Sequence, residues 1–512
     1  METLSQSISS LSVVLLGLAV VYFCYSAVPF LSESSTSLRS VPGPWLARFS
    51  RLWYLKEVST GQFHHRNVAL HKKYGPVVRI APKQYSISDP SALKIIYGIG
   101  NGFAKSGWYD ASSAPDGEWK DLFTDRNSAR HSANRRVVAK LYSATALRGI
   151  EPDVEYCIRE FVKQIERIAK SGSTMNLQFW LQCYAFDVIS QITLGNTFGF
   201  LESGRDHTGI FDSLHGYLKY CALVGVEHEL HRPLWWLLNK LPASGLVHIA
   251  RFTAEQLAHG KKDLGAASEA DLASRQNFLS QLFRLQKKDP QKFPDSAIFS
   301  TCITNIGAGS DTTSISLCSV LHNLMTHPLA LEKLRQEVDA KYSELGSPEF
   351  LPFKDTQAMP YLQACIKEAL RLHPATGLPL ARVVPETGAT ISGTHFLGGS
   401  VVGINTWVMH QNTDIFGPDA QAFRPERWLD QSSEQLSVME RHWIPFGAGS
   451  RTCIGKNISL LEMNKLIPVL IKAFDFTAVD GEKARHENYW LVQQVDVLCK
   501  ITMRRNDNQV GK

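Results

Sequence analysis

The sequence contains no Cys-x-x-Cys pair, and its nine cysteines, at positions 24, 157, 183, 221, 302, 318, 365, 453 and 499, are dispersed and odd in number. That pattern argues against a disulfide framework and against a zinc site of paired ligands, and it suits a reducing compartment. Blocks of like charge are also missing. The 54 lysines and arginines and 48 acidic residues leave a net charge of +6 spread along the chain, which speaks against nucleic acid and for a membrane surface or an acidic partner. Beyond residue 60 there is no Pro/Gly/Ser-rich linker, no low-complexity run and no internal repeat. A length of 512 residues would ordinarily suggest several domains, yet nothing in the composition divides the chain.

A further absence is local: no charged residue occurs from Thr3 to Ser32. Leu11 to Leu31 is dominated by Val, Leu, Ala, Tyr and Phe, and about twenty apolar residues cross a bilayer as a helix. A cleaved signal peptide is the competing reading, but it needs a basic start, and the early charge here is Glu2. Arg39, Arg48, Arg51 and Lys56 follow the apolar run, so the positive-inside rule leaves the C-terminal body in the cytosol. The expected organisation is a tail at 1–10, a transmembrane anchor at 11–31, a linker at 32–48, a catalytic body at 49–506 and a tail at 507–512. Within the linker, the two prolines of Val41-Pro42-Gly43-Pro44-Trp45 suppress helix and predict a stiff spacer.

The richest chemistry lies in Phe446-Gly447-Ala448-Gly449-Ser450-Arg451-Thr452-Cys453-Ile454-Gly455. Its glycines let the backbone turn tightly and approach something flat. From Ile454 the apolar spacing becomes helical, placing Cys453 at a helix start, where free N–H groups and the dipole favour thiolate. A structural cysteine in a glycine-rich turn is the plain alternative. The stretch matches Phe-x-x-Gly-x-Arg-x-Cys-x-Gly at every fixed position and resembles the haem-binding signature of the cytochromes P-450. The resemblance runs from about residue 40 to 505 and implies a mainly α fold with a small β portion (α+β), preceded by the N-terminal transmembrane helix. It implies haem b with Cys453 as the axial thiolate, which pushes electron density onto iron and favours O–O cleavage. Phe446 and Gly447 would frame that ligand.

Pro294-Asp295, the apolar run to Met325 and then His327-Pro328 predict one long helix of some 45 Å at about 1.5 Å per residue. Inside it, Ala308-Gly309-Ser310-Asp311-Thr312-Thr313 predicts a local opening, because glycine weakens a helix and hydroxyls compete for its carbonyls. A solvated kink is the plain alternative. In the resemblance, Ala308 and Gly309 lie beside the haem, and Thr312 with Asp311, linked to solvent, form the proton relay to bound oxygen. Glu368 and Arg371 stand at i, i+3 in a helix that ends before Pro374. They resemble the family's Glu-x-x-Arg, and Arg427 completes a triad that retains haem without taking part in the chemistry.

His131 and Arg135 share a helix face at i, i+4; an ordinary solvated face is the alternative. The family usually has Trp-x-x-x-Arg there, on a haem propionate, so His131 departs from the pattern. Arg382 and Arg451 match the other propionate cations, while Thr304, Thr376 and Leu378 would face substrate. The irregular aromatic stretch 98–127 is either a lid, with Phe103 and Trp108 on the substrate, or a satellite cluster. Residues 75–80 and 85–88, turning at Pro82-Lys83, open a small sheet that 391–393, 401–405 and 497–504 complete. The apolar stretch 230–245 is either core or membrane-facing.

The resemblance implies a monooxygenase that uses O2 and NADPH-derived electrons on an apolar small molecule. No flavin or nicotinamide-binding stretch occurs in the chain, so electrons are expected from NADPH-cytochrome P-450 reductase, with cytochrome b5 as a second donor. Arg135, Arg136, Lys140 and Lys456 would offer the docking face. The proline stretch resembles the hinge of microsomal members, which implies single-pass anchorage in the lipid bilayer of the endoplasmic reticulum. Lys105-Ser106-Gly107-Trp108-Tyr109, Leu141-Tyr142-Ser143 and Asn488-Tyr489-Trp490 resemble the fungal group that includes pisatin demethylase. That implies a terpenoid, polyketide, alkaloid or aromatic secondary metabolite. Two rival readings stay open: a reductase-independent isomerase, dehydratase or peroxygenase, and a haem-binding sensor without turnover. The Asp311-Thr312 pair argues against both.

Overall fold

A computed structural model describes residues 36–240, 245–265, 276–479 and 484–504. The anchor expected at 11–31 and the tails lie outside them, and among the described residues no helix is long and apolar enough to cross a membrane. The helices that build the site are α1 (Ser128–Val138), α2 (Glu151–Ser171), α3 (Leu177–Leu194), α4 (Ile210–Val226), α5 (Asp295–Thr326), α6 (Pro360–Leu372) and α7 (Lys456–Ala473). The chain is mainly helical, and the larger apolar core is built from α2, α3, α5, α6 and α7.

Helix α5 is its axis. Its 32 residues start after Pro294 and stop at His327, before Pro328, giving a rod of about 48 Å. Helix α3 is apolar almost all round and correspondingly buried. It lies hard against α5 because Gly309 has no side chain: a Cβ there would stand 2.7 Å from Ile189 Cδ1. The space expected beside Gly309 is therefore filled by Ile189, and α5 runs unbroken through 308–313. Glycine serves close packing here, not an opening.

The second core surrounds a five-stranded sheet ordered Val77–Ala81, Gln84–Ile87, Val401–Ile404, Arg382–Val383, Ala104–Lys105. Its first hairpin turns at Lys83, with φ 55°. The last pairing sets Lys105 opposite Arg382. Strand Leu498–Met503 does not join this sheet, contrary to expectation; it pairs with Phe474–Ala478 and Met175–Asn176. Ala389–Ile391 and Thr394–Phe396 form a separate hairpin, as do Arg485–Tyr489 and Leu491–Val495. Alternation marks a strand but not its partner.

The proline stretch is no free spacer. Leu38, Val41 and Ala47 are buried, and the Arg79 N–H donates to the Pro42 carbonyl at 2.8 Å. The short helix His231–Leu238 is not core: Trp236 is 62% exposed, and Leu230 and Leu237 are exposed with it.

Candidate functional site

The cysteine loop closes on itself, with the Cys453 N–H donating to the Phe446 carbonyl at 2.8 Å. Gly447 and Gly449 both have positive φ, and a Cβ on Gly449 would fall 1.8 Å from the Tyr97 carbonyl oxygen, so only glycine fits there. Helix α7 begins at Lys456 with Gly455 as its cap, so Cys453 precedes the helix instead of opening it. Burial pushes the Cys453 thiol above its ordinary 9.0, while the Gly455 and Lys456 N–H groups and the Arg135 charge pull it back. The helix start that favours thiolate in the sequence is therefore outweighed by burial; a coordinated cation would supply the missing pull. Among the described cysteines Cys453 is accessible and the others are buried. Protein nevertheless surrounds its sulfur closely, which is the setting of a group facing a recess.

Helix α5 supplies the facing wall. Ala308 is exposed in mid-helix, and Thr304 and Thr312, one turn before and one turn after, are half-buried. Residues four apart share a face, so the three form a stripe. The Thr312 hydroxyl donates to the Ala308 carbonyl at 2.6 Å. Asp311 points elsewhere and is buried. Gln182 Nε2 donates to its Oδ1 at 2.7 Å and Gln493 Nε2 to its Oδ2 at 3.4 Å. Burial pushes this carboxyl up to about 6 against the pull of those amides. Three bonds tie α5 to the cysteine helix: Thr313 Oγ1 to Ser459 Oγ at 3.2 Å, Tyr142 Oη to Asn305 Oδ1 at 2.6 Å, and Asn457 Nδ2 to the Tyr142 carbonyl at 3.1 Å.

Cations crowd one side. Arg382 Nη1 donates to the Ala381 carbonyl at 3.0 Å, and Arg451 Nη1 to the Asp125 carbonyl at 2.7 Å. Arg451 Nη2 is buried without a partner. Burial and the Arg382 charge push Arg451 down to about 10. Lys105, not among the cations expected there, joins them: its ammonium donates to the Phe123 carbonyl, lies 4.1 Å above the Tyr109 ring, and is driven well below its usual value by burial and the two arginines. Its strand pairing with Arg382 puts it there, and no local motif announces that. His131 is buried and held at about 4 by burial, Arg451 and Arg135, so at neutral pH it is an uncharged neighbour of the cluster, whereas Arg135 keeps its charge. Like charges this close, one with an orphaned donor, fit a dianionic partner.

Aromatic side chains pack between α4 and the 485–495 hairpin. Trp108 is buried against Tyr109 at 5.1 Å and Trp490 at 4.6 Å, ring to ring. It fits because Gly225 of α4 has no side chain: a Cβ would approach its indole to 2.6 Å. Trp490 holds φ 76° at the tip of the hairpin, and its carbonyl accepts from the Gly377 N–H at 2.9 Å. A bulky residue at positive φ marks a position fixed by its surroundings. Thr376 bridges to Leu491 and Leu378 is buried. Phe103 lines a surface depression with Lys94, Ile95, Pro385 and Thr387.

Glu368, Arg371 and Arg427 lie together in the core of the fold. Arg371 grips Glu368 through Nε at 2.9 Å and Nη2 at 2.8 Å, and Arg427 Nε adds a contact at 3.2 Å. Trp428 Nε1 donates to the other side of the carboxylate at 2.9 Å. Burial would raise the Glu368 pKa, but the Arg371 bond and both arginine charges hold it below its ordinary value. Arg371 also donates to the carbonyls of His410, Ala420 and Ala422, pinning the segment that leads to the cysteine loop.

An accessible thiol, a helix stripe opposite it and unneutralised cations fit an iron porphyrin whose propionates face Arg451, Arg382 and Arg135. The Cytochrome P450 family profile matches residues 42–499. The chain is 40% identical to a pisatin demethylase of Fusarium vanettenii over 90% of its own length and 87% of the relative's. It is 39% identical to a second pisatin demethylase of that fungus, over 93% and 92%. It is 33% identical to a cytochrome P450 monooxygenase of Aspergillus flavus, over 96% and 97%.

Proposed function

The chain belongs to the cytochrome P450 monooxygenase family, whose cofactor is a haem-thiolate iron, and from that premise we propose that it oxidises an apolar secondary metabolite in a fungus. In this reading it uses O2 and two electrons from NADPH, delivered by a separate reductase. A terpenoid, polyketide, alkaloid or aromatic compound is the substrate class, which the two pisatin demethylases among its relatives support.

The carrying observation is the accessible Cys453 sulfur in a recess walled by the Thr304–Ala308–Thr312 stripe, with Asp311 behind it. Bound through Cys453, the haem supplies the iron at which dioxygen is reduced and substrate oxidised. The chain's own residues do the rest. The Gly455 and Lys456 N–H groups steady the sulfur. Arg451, Arg382 and Arg135 would hold the propionates. The Thr312 hydroxyl holds a proton at Oγ1, and Asp311, near 6, exchanges one close to neutral pH.

Arg136 and Lys140 are exposed on the segment leading from α1 and suit an acidic reductase. On another face, Trp45, Leu46 and Leu52 are exposed, as are Leu230, Trp236 and Leu237. Arg51 clasps the two groups together, with Nη1 2.7 Å from Glu229 and 3.4 Å from Glu227. Together with the apolar run at 11–31, that surface supports single-pass attachment to the endoplasmic reticulum membrane with the body in the cytosol.

The test is the carbon monoxide difference spectrum of the reduced protein, with and without Cys453→Ala, beside a metabolite comparison of a deletion strain and its parent. Loss of the thiolate-haem band in the variant, and of one oxidised metabolite in the deletion, is expected. An unchanged band removes the assignment, and product formed without NADPH and reductase replaces it with a reductase-independent reaction.

A further inference from the structure

Far along the chain from the cysteine loop, the helix Phe63–Tyr74 begins with two adjacent histidines, and the strand Arg485–Tyr489 brings His486 to them. One ring nitrogen from each of His64, His65 and His486 lies within 4.8 Å of the others. His64 is wholly buried, and among the described residues neither of its ring nitrogens finds a hydrogen-bond partner. A buried imidazole with neither nitrogen satisfied carries a desolvation cost that a partner would remove. Nothing in the oxygen chemistry uses these residues.

We propose that His64, His65 and His486 form a three-imidazole site for a divalent transition metal of the zinc class, which straps the 485–495 hairpin to the Phe63–Tyr74 helix. The geometry is held from both sides. The Asn488 N–H donates to the Gly61 carbonyl at 2.9 Å, and the Gln62 amide donates to the His486 carbonyl, so helix start and strand are registered before any ion arrives. His65 and His486 stack at 5.6 Å with 16° between their planes, and His64 and His65 stand 4.0 Å apart. Trp407, 4.6 Å from His64, and His373, 4.7 Å from His486, close the buried side. His373 is committed elsewhere, its Nε2 lying 2.7 Å from the Val492 carbonyl. His65 is exposed and gives the ion its way in.

The chemistry suits borderline metals. Imidazole nitrogens select zinc, copper or nickel over calcium and magnesium. Nitrogens at about 2.0–2.1 Å from a tetrahedral zinc stand roughly 3.4 Å apart, so the set closes by rotation of the rings. The occupied site would bear on the oxygen site, because the same hairpin carries Gln493, which donates to Asp311.

The test uses full-length, haem-loaded protein purified without a polyhistidine tag and stripped with EDTA, then titrated with zinc chloride against a chelating dye. Expected is one zinc per chain, a thermal midpoint that rises with zinc concentration, and an apparent Kd at least about tenfold weaker in both His65→Ala and His486→Ala. His65 is exposed, so its variant is not threatened by misfolding, and an undiminished carbon monoxide difference band certifies the haem fold in each protein. Zinc that fails to bind the wild type, or binds either variant as tightly, overturns the site and leaves the haem-thiolate assignment untouched.

Discussion

Gln182 holds Asp311: its side-chain amide donates to the carboxylate at 2.7 Å from helix α3, 129 residues earlier in the chain, while Gln493 reaches the second oxygen. The acid is thereby kept inside the protein, gripped by neutral donors with no cation bonded to it. Its protonation is set by burial against the pull of those two amides.

Ionised Asp311 should cost stability. Its carboxyl sits near 6 in the fold against an ordinary 3.8, so the penalty is absent below 3.8, grows as pH rises between the two values, and is complete above about 6. The gap corresponds to roughly 3 kcal/mol. Asp311→Asn should therefore raise the thermal midpoint at pH 8, with the gain vanishing near pH 4, while oxidised product per NADPH falls. Thermal melts across pH check this, and a gain that does not depend on pH would refute the burial account.

Thr312 should act through its hydroxyl. Since Oγ1 already bonds the Ala308 carbonyl at 2.6 Å, Thr312→Ala frees that carbonyl without disturbing the apolar packing. The variant is expected to keep its haem band and NADPH consumption but divert electrons to peroxide, with Thr312→Ser restoring most of the coupling. Peroxide and product yields per NADPH measure it, and unchanged coupling in the alanine variant would sink the role.

Removing Glu368 should be severe. Two buried guanidiniums and the Trp428 indole converge on it, and breaking a buried pair leaves uncompensated charge costing about 3–5 kcal/mol. Glu368→Ala should yield little haem-loaded protein. Trp428→Phe removes one neutral donor and should cost only about 1–2 kcal/mol. Haem-to-protein absorbance ratios separate the two, and equal losses would contradict the ranking.

How far the sequence reached follows from how local each feature is. The 446–455 loop and the Glu368–Arg371 pair are written within a few consecutive residues, where turn chemistry and helical spacing act. Helix α5 was readable from Pro294 and His327-Pro328. What escaped was set by distant contacts: the amides on Asp311, Lys105 beside Arg382 and the grip of Ile189 on Gly309. The thiolate was over-read for the same reason, because a helix start is visible in sequence while the burial that opposes it is a property of the assembled walls.

Glu462 of α7 should be replaceable with profit. It is buried, and among the described residues neither carboxylate oxygen finds a partner; burial raises its pKa well above the ordinary 4.5. Stability on its account is therefore highest below 4.5, where it is protonated folded and unfolded alike, and falls as pH rises from there to its folded value. Glu462→Met keeps the volume and should stabilise by about 1–3 kcal/mol, more at alkaline pH. Denaturant midpoints at pH 6 and 9 test it, and a destabilised variant would show that the acid has a partner of its own.

The missing side chain at Gly225 leaves a mark on how this enzyme can diverge. With the Trp108 indole pressed where a Cβ would be, the two positions are bound as a pair, and position 225 can grow only once position 108 has shrunk or moved. The order in which these two sites can change is thus fixed by the absence of one carbon.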